Sequence, residues 1–392
     1  MQVNRSNYRI FAFISNFILI LTMRFSVTLG DLQKVIARVI PALPPKSTLP
    51  VLEHIHCNAA NGVLTMLTTD QELTISSTVS AFIGAEGEVL IPARRLNEIV
   101  KALGQEGTIE IAVSANHDVT LTTNFGKYTM KGMSADEFPT MPQFPEGTRA
   151  TFSQANISRI AEKTVFAVSK EEYRPAMTGV LLQFRGDHVT AASTDSFRLS
   201  RVIVNAGDTE FPQGLDVIIP ARSIELLRKV DSDVVVSVTK THAEFVMANT
   251  TIVTRVIDER FPPYENVIPK DNDKELTVNV KELVAALKRV AIFTNNKSYQ
   301  IKMTISSDGV TIAGADDDSG ANAQEQLPCE YTGASFEIGF NYHYVLDGLQ
   351  HLDSGSDNNE CLFTFSSPTR AVLLKPNRDD ESLLMLIMPT RL

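Results

Sequence analysis

Several residue types are scarce in this sequence, and each scarcity removes a class of protein. The chain has no tryptophan, and its three cysteines, Cys57, Cys329 and Cys361, show no C-x-x-C spacing. An odd, widely spaced set of cysteines predicts neither a disulfide framework nor a cysteine zinc site. Charged residues make up 21% of the chain and hydrophobic residues 43%, an ordinary globular balance that excludes disorder, collagen and coiled coil.

Catalytic signatures are also lacking. The sequence contains no P-loop, no dinucleotide-binding glycine pattern, no G-x-S-x-G and no H-E-x-x-H. His54 and His56 alternate on one predicted strand without a third ligand, and the acidic run from Asp316 to Asp318 lacks the spacing of an EF-hand loop. We therefore expect no catalytic residue, no metal site and no cofactor.

The first 22 residues differ from the rest of the chain. Two arginines precede an apolar run from Ile10 to Leu21, and this run holds only two polar residues. The run resembles a signal peptide, but it is shorter than the roughly 20 residues of a membrane span and no small-residue cleavage site follows. We interpret residues 1–22 as a leader or a mis-called start upstream of Met23; a targeting segment and a membrane-surface helix remain alternatives.

The remaining chain contains an internal repeat with a period of about 125 residues. A short alternating strand followed by a helix begins at Phe25, at Ala150 and at Leu276. The helices are predicted to start at polar residues: Gly30 and Asp31, Gln154 to Asn156, and Asn279. A strand, a turn and a second helix recur around Pro92, Pro220 and Phe340, and an acidic turn recurs at Asp70, Asp195 and Asp316.

The repeat predicts the fold class. Each copy contains about eight short strands and two helices, which indicates an α+β fold with helices covering one face of antiparallel sheets. We expect three tandem similar domains, at residues 23–145, 150–270 and 271–392, and we call these the first, second and third repeats. Unpaired edges of such sheets favour end-to-end continuation within the chain or between chains.

Charge is segregated between the helices and the rest of the chain. The formal net charge is −10, yet the predicted helices together carry +7, which leaves −17 elsewhere. A basic surface on one kind of element suits a protein that contacts the DNA backbone. Lysine and arginine are also good helix formers, so charge alone does not decide between DNA binding and ordinary solvated helix faces.

Seven segments resemble one family. They are STLPVL (47–52), IPAR (91–94), STDSFRLS (193–200), IIPARS (218–223), DERFPPYENVIP (258–269), EIGFNYHYVLDGL (337–349) and MPTRL (388–392). Their order and spacing resemble the DNA polymerase III beta subunits, the bacterial sliding clamps, over residues 23–392.

The resemblance implies a non-catalytic processivity factor of the polymerase III holoenzyme, itself a DNA-directed DNA polymerase and nucleotidyltransferase. It implies a head-to-tail homodimer that forms a six-domain ring, with the helices lining a hole that encircles duplex DNA. The implied partners are double-stranded DNA, a second copy of the chain, an ATP-driven clamp loader, the replicative polymerase and other polymerases or repair proteins with clamp-binding peptides. It implies a cytoplasmic protein at the replication fork, without a membrane partner. Three repeats per chain agree with a closed ring of two chains.

By the same resemblance, DNA contacts come from basic residues on the helices and two loops: Lys46, Arg94, Arg95, Arg159, Lys163, Lys170, Arg174, Arg222, Arg228, Lys288 and Arg289. A partner-peptide pocket is implied between the second and third repeats: Met177, Thr194, Ser196, Phe197, Arg198, Leu199, Pro262, Val267, Asn341, Tyr344, Met388, Pro389, Thr390 and Arg391. Ordinary core packing is the competing interpretation for each apolar member.

Three positions depart from the family pattern. Phe197 stands where histidine is common, and Asn266 and Ser298 stand where a basic residue and an aromatic residue can occur. These departures leave open which peptides bind and whether the chain is a paralogous clamp. A three-domain α+β binding or hydrolytic protein that shares only the repeat is the alternative from another class.

Overall fold

The structure of the protein is a computed structural model that describes residues 21–142, 144, 149–205, 213–352, 359–377 and 382–392. The chain divides into two compact units, Met1–Thr140 and Met141–Leu392. Of the predicted leader, residues 1–20 lie outside the described residues. Leu21 and Thr22 already belong to the first strand, so that strand begins two residues before the predicted start of the first repeat.

The first unit contains two helices and nine described strands. In chain order its elements are β1 (Leu21–Thr28), α1 (Leu29–Val39), β2 (His54–Ala60), β3 (Val63–Thr69), β4 (Leu73–Ser80), β5 (Phe82–Ala85), β6 (Gly87–Pro92), α2 (Ala93–Ala102), β7 (Thr108–Ser114), β8 (Asp118–Thr122) and β9 (Lys127–Lys131). The strands pair antiparallel, one set in the order β5-β1-β7-β8-β9 and another in the order β4-β3-β2-β6. Helix α1 buries Leu32, Val35, Ile36 and Val39, the three-and-four spacing of a single helix face.

The second unit contains the second and third repeats. Its elements are β10 (Arg149–Phe152), α3 (Gln154–Thr164), β11 (Gly179–Arg185), β12 (His188–Thr194), β13 (Arg198–Asn205), β14 (Gln213–Pro220), α4 (Ala221–Glu225), β15 (Val234–Val238), β16 (His242–Met247), β17 (Thr250–Arg255), β18 (Lys274–Asn279), α5 (Val280–Val290), β19 (Gln300–Ser306), β20 (Gly309–Asp316), β21 (Ala321–Leu327), β22 (Glu330–Tyr331), β23 (Phe336–Asn341), α6 (Tyr342–Leu352), β24 (Glu360–Phe365), β25 (Val372–Pro376) and β26 (Leu383–Ile387).

One continuous sheet joins the second and third repeats. Its nine strands run in the order β14-β11-β12-β13-β26-β25-β24-β18-β22. The junction is the antiparallel pair of β13 and β26, in which Leu199 lies opposite Leu386 and Arg201 lies opposite Leu384. The remaining strands of this unit pair in the orders β10-β15-β16-β17 and β21-β20-β19-β23.

The first helix of each repeat begins in the same way. The N-cap side chains of Thr28, Ser153 and Asn279 accept a hydrogen bond from the backbone amide three residues later. Such a cap satisfies an amide that has no partner inside the helix. The prediction was correct for Asn279, but the first two caps precede the predicted polar residues.

The described residues confirm the α+β class, with antiparallel sheets and six α-helices. The second helix predicted after Pro220 is short, because α4 ends at Glu225 and the chain continues as turns. None of the described helices has the length and apolar character that a membrane crossing requires.

Candidate functional site

The turn between β12 and β13 carries four of the predicted pocket residues. Asp195 Oδ1 accepts hydrogen bonds from the amides of Phe197 (2.9 Å) and Arg198 (3.0 Å). Thr194 Oγ1 accepts from the amide of Ser196 at 3.1 Å, and Ser196 adopts a positive φ of 78°. These short polar side chains replace backbone partners in the turn. The turn therefore presents Phe197 outward, with 54% of its surface exposed.

Arg198 is held between the second and third repeats. Its Nε lies 3.0 Å from Asp195 Oδ2 and its Nη1 lies 2.5 Å from Asp347 Oδ2 on α6. Its guanidinium also lies over the rings of Phe166, at 5.6 Å, and Tyr344, at 5.0 Å. The side chain is only 12% exposed. The two carboxylates and the two rings surround the guanidinium, so Arg198 links the second repeat to the third. We call Arg198 with these four partners the tie.

Next to this tie lies a cavity of about 410 Å³. The rings of Phe197 and Tyr344 are nearly parallel there, with centroids 6.1 Å apart and an interplanar angle of 13°. Burial, more than the nearby Asp195 carboxylate, raises the pKa of the Tyr344 hydroxyl. The lining combines this aromatic pair with polar and charged side chains: Lys170, Glu171, Asp195, Arg198, His343 and Asp347.

The C-terminal residues bond to both repeats. The amide of Met388 donates to the Phe197 carbonyl at 2.8 Å. The amide of Thr390 donates to the Gly339 carbonyl at 2.8 Å, and Gln300 Nε2 donates to the Arg391 carbonyl at 2.6 Å. A Cβ at Gly339 would lie 2.8 Å from the Thr390 carbonyl oxygen, so this close approach requires glycine.

A cluster of buried apolar residues, the apolar patch, lies on the face of β13 and β26 that carries Leu199. Its buried members are Leu181, Ala192, Leu199, Ile218, Phe261, Tyr264, Ala371, Leu373, Leu384 and Leu386, with Ala176, Ile257, Ile268 and Met388 packed against them. Alternation along β13 puts Leu199 on this face and Arg198 on the face toward α6. Several patch residues, together with Pro262, also border a larger cavity of about 780 Å³.

Two adjacent pocket residues of β13, Arg198 and Leu199, thus lie on opposite faces of the nine-stranded sheet. Ser196 Oγ lies 3.4 Å from Met177 Sδ, which links two further members. Asn341 Oδ1 accepts from the His343 amide at 3.0 Å at the start of α6, and Pro389 is half-buried beside Met388. Val267 ends a short 3-10 helix over Tyr264–Val267 and is exposed.

In the first unit the predicted DNA contacts lie around one loop. Arg94, near the start of α2, donates to the carbonyl of Pro45. Lys46 follows Pro45 in this loop, and both Lys46 and Arg95 are exposed. Among the described residues neither of these two side chains has a hydrogen-bond or ion-pair partner. Arg94 therefore holds the loop, while Lys46 and Arg95 are available to an anion.

In the second unit several predicted DNA contacts have partners in the protein. Lys163 Nζ lies 2.6 Å from both Glu162 Oε1 and the His351 carbonyl and is 13% exposed. Arg159 donates to Ser382 Oγ at 2.9 Å, and Arg289 forms a two-point ion pair with Glu325. These contacts bind the helices to their own surroundings.

The other basic residues of this unit are exposed. Arg228 lies 3.3 Å from Glu225, and Arg174 donates to Ser196 Oγ at 2.9 Å. Arg222 is exposed, and it also interacts with another group of the protein. Lys170 and Lys288 are exposed without a side-chain partner in the described parts of the chain.

Sequence reasoning missed three residues that build the tie. Asp347 and Phe166 contact Arg198, and His351 stacks on Phe166 with centroids 3.9 Å apart. Burial is the main cause that lowers the pKa of His351. Helical spacing offered one signal, because Asp347 follows Tyr344 by three residues and shares its side of α6.

The two histidines considered for a metal site have other partners. His56 Nε2 lies 2.9 Å from Glu88 Oε2, and His54 Nδ1 lies 2.8 Å from the Pro50 carbonyl. Within the described residues no group of three or more histidine, cysteine, aspartate or glutamate side chains is placed to hold a metal ion.

Three domain models of one family match the chain in order. The DNA polymerase III beta subunit N-terminal domain matches residues 23–142, the central domain residues 151–263, and the C-terminal domain residues 265–391.

Individual relatives agree with these matches. The chain is 30% identical to the beta sliding clamp of Chlamydia muridarum over 333 residues, which cover 84% of this chain and 90% of the relative. It is 28% identical to the beta sliding clamp of Pseudomonas aeruginosa over 377 residues, 94% of this chain and all of the relative. The crystal structure of a sliding clamp from Bartonella birtlesii bound to griselimycin superposes with a TM-score of 0.87 at 27% identity, over 94% of this chain and all of the other.

Proposed function

Because the chain belongs to the DNA polymerase III beta subunit family, the beta sliding clamps, we propose that it forms a ring around duplex DNA and keeps the replicative polymerase on its template. The presence of all three clamp domains in order carries this proposal. The ring is a homodimer that an ATP-driven loader opens, at the replication fork in the cytoplasm. The subunit is not catalytic; the holoenzyme it serves is the DNA-directed DNA polymerase.

Ring closure requires two different edges that match. Strand β21 is an edge of its sheet and alternates exposed side chains with half-buried ones, and Ile292 beside it is 78% exposed. Strand β9 is an edge in the first unit and carries Lys127 and Lys131. We propose that β9 of one chain pairs with β21 of another. Such a contact between unlike surfaces makes a ring when the rotation closes.

DNA is held by charge without sequence recognition. Lys46 and Arg95 in the first unit, and Lys170 and Lys288 in the second, are exposed cations free of protein partners in the described chain. Contacts from such side chains to phosphates carry no sequence information and weaken with salt. Lys163, Arg159 and Arg289 contribute mainly to structure, because their side chains already bind protein groups.

The polymerase, other polymerases and repair proteins bind as peptides at the turn between β12 and β13. The apolar patch with Leu199 and Met388 provides the larger contact, and Phe197 with Tyr344 provides an aromatic contact on the other side of the turn. Apolar walls with a few polar groups are typical of peptide and ligand sites.

Retention on circular DNA tests the ring. The protein is loaded with its clamp loader and ATP onto nicked circular plasmid, at a salt concentration that suppresses simple phosphate contacts. We expect the protein to remain on the circle and to be released when the plasmid is cut. Equal retention on circular and linear DNA would indicate an ordinary DNA binder. Absence from both, together with a monomeric mass in solution, would rule out the ring.

A further inference from the structure

The larger cavity lies away from the turn that carries Phe197. It borders β14, the end strand of the nine-stranded sheet, and we call this cavity of about 780 Å³ the edge cavity. Strands β11 and β12 separate β14 from β13, so β14 lies about 14 Å from the strand that bears the predicted pocket residues. Of those pocket residues, Pro262 alone borders the edge cavity in the described part of the chain.

Backbone groups of β14 are open on the side away from β11. The Ile218 carbonyl accepts from the Ile257 amide at 2.9 Å, so it points away from the β11 partner strand. Backbone groups in an antiparallel pair alternate between the two sides from one residue to the next, which directs the Asp216 amide and carbonyl away from β11 as well. Among the described residues these two groups have no hydrogen-bond partner.

The equivalent edge strand of the first repeat is better covered. There the amides of Leu90 on β6 and of Met133 each donate to the other residue's carbonyl, at 3.0 Å. Leu90 and Ile218 are equivalent, because each precedes an Ile-Pro-Ala-Arg segment. In the second repeat the Ile257 carbonyl accepts instead from the Glu259 amide at 3.0 Å, so the chain turns there and does not continue along β14.

The surroundings of the open edge are fixed by hydrogen bonds within the protein. The Tyr264 hydroxyl donates to Gln183 Oε1 at 2.8 Å, and Gln183 Nε2 donates to Asp216 Oδ2 at 3.1 Å. The Val256 amide donates to the Thr241 carbonyl at 3.0 Å. Preformed walls reduce the ordering that a ligand must impose when it binds.

The charged residues that border the edge cavity are mostly acidic. Four are carboxylates and two are cations: Asp216, Asp258, Glu259, Glu265, Lys240 and Arg260. Arg185 pairs with Asp216 at 2.7 Å, whereas the other three carboxylates form no ion pair among the described residues. Burial and then the Glu265 carboxylate raise the pKa of Tyr264 to about 12, so Glu265 acts on the same end of the cavity as Tyr264.

We propose that the edge cavity binds an extended polypeptide segment that pairs with β14 and places a lysine or arginine near Glu265. The Asp216 amide and carbonyl supply the backbone contacts, and the excess of carboxylates supplies the charge complementarity. A polypeptide is the occupant because its own backbone repeats donors and acceptors at the spacing of a strand edge. This inference goes beyond the proposed function, since it concerns a different surface from the predicted peptide pocket.

The competing explanation assigns no ligand to the edge cavity. Charged side chains beside an edge strand protect it from pairing with other chains, and water then solvates the open backbone groups. Under that explanation the protein takes up no strand at β14, whichever charge the strand carries.

Matched peptides distinguish the two explanations. Fluorescent eight-residue peptides of alternating valine and threonine carry one lysine at position four or five, and each has a glutamate twin. At low salt we expect the better lysine peptide to bind the full-length protein about tenfold more tightly than its twin. The difference should shrink as salt is raised.

Backbone methylation tests the pairing with β14. Two further twins of the lysine peptide carry N-methyl groups on one or the other set of alternate amides. Only one set faces the protein in an added strand, so we expect one twin to bind about fivefold more weakly and the other to bind as before.

Variants assign the charge preference to the edge cavity. Glu259→Gln combined with Glu265→Gln should remove most of the preference for lysine. Glu275→Gln combined with Glu330→Gln removes two exposed carboxylates from β18 and β22, at the other end of the same sheet, and should keep the preference. An unchanged thermal unfolding midpoint verifies that each variant is folded.

The outcomes also separate this site from the predicted peptide pocket. Deletion of residues 388–392 should leave binding of the lysine peptide unchanged, and a loss of binding there would assign the peptide to the pocket and overturn the inference. Equal binding of the lysine and glutamate twins overturns it too, as does equal binding of the two methylated twins. A lysine preference that survives loss of Glu259 and Glu265, or no binding of any peptide, has the same consequence.

Discussion

Two turns of the chain, one in each unit, have the same backbone and different uses. In the first unit, Asp70 Oδ1 accepts from the amides of Glu72 (3.0 Å) and Leu73 (2.8 Å), and Gln71 adopts a φ of 76°. In the second, Asp195 bonds Phe197 and Arg198 in the same way around Ser196, whose φ is 78°.

The difference lies in the side chains that follow the aspartate. Leu73 is buried in the core of the first unit, whereas Arg198 at the same place reaches Asp347 in the next repeat. Glu72 is exposed to solvent, whereas Phe197 lies parallel to Tyr344. The first and second repeats share the geometry of this turn, and the side chains at two positions distinguish a structural turn from a candidate binding site.

Removal of the chain end should have the largest effect on the second turn. Met388 bonds the Phe197 carbonyl and packs against the apolar patch. We expect deletion of residues 388–392 to abolish peptide binding and to leave the dimer mass unchanged, as measured by fluorescence anisotropy and by light scattering. Unchanged peptide affinity would remove these residues from the groove.

The variants Arg198→Ala and Leu73→Ala test the difference between the two turns directly. Arg198→Ala leaves Asp195 and Asp347 without their cation and frees Tyr344, so we expect about tenfold weaker peptide binding and a loss of about 2 kcal/mol in the unfolding free energy. Leu73→Ala should cost about 3 kcal/mol through a core cavity and leave peptide binding unchanged.

Arg198→Lys tests the geometry of the tie. Lysine keeps the charge but lacks the planar fork that contacts two carboxylates and stacks between rings. We expect partial recovery of stability and little recovery of peptide binding. Full recovery of both would show that charge alone is sufficient at this position.

The stability of the folded protein should depend on pH through His351, which stacks on Phe166 in the tie. Burial lowers its pKa below the usual 6.5, so the unfolded chain binds a proton more readily than the folded protein. The stability that the neutral His351 side chain contributes is therefore fully present above the pKa of the unfolded chain. It is lost as the pH falls below about 6.5. We expect His351→Phe, which keeps a ring against Phe166, to reduce the fall in unfolding midpoint between about pH 7.5 and 5.5. An identical fall in both proteins would contradict this assignment.

The smallest effect is expected from the exposed loop lysines, which both units have. Lys46 and Lys170 are exposed loop lysines, one in each unit. We expect Lys46→Ala and Lys170→Ala each to reduce the slope of DNA affinity against salt by about one contact, and Lys46→Ala to leave peptide binding unchanged. Lys163→Ala is the matched contrast: since Lys163 bonds the His351 carbonyl, it should lower stability more than DNA affinity.

The repeat, the strand and helix that begin each copy, and the acidic turns could be read from the sequence. The predicted starts of the first helices of the repeats are correct to within three residues. These features depend on local alternation and local hydrogen bonds. The short α4 was not predicted, because the residues after Glu225 have helical composition while the chain turns there.

The site residues were harder to predict, because their contacts come from residues that are distant in sequence. The family resemblance placed Arg159, Lys163 and Arg289 among the DNA contacts, but Ser382, the His351 carbonyl and Glu325 lie beside them in space. Asp347, the carboxylate of α6 that binds Arg198, is 149 residues away in sequence. Nothing local indicates which carboxylate a guanidinium meets.

The sequence by itself determined the family, the three-domain architecture and the turn that bears Phe197. Local patterns suffice for these, because strand alternation, caps and turns depend on neighbouring residues. Only the tertiary structure decided that β13 and β26 join two repeats in one sheet and which lysines and arginines are free. Those properties depend on which distant strands and helices pack together, and pairing between strands far apart in sequence leaves no local signal.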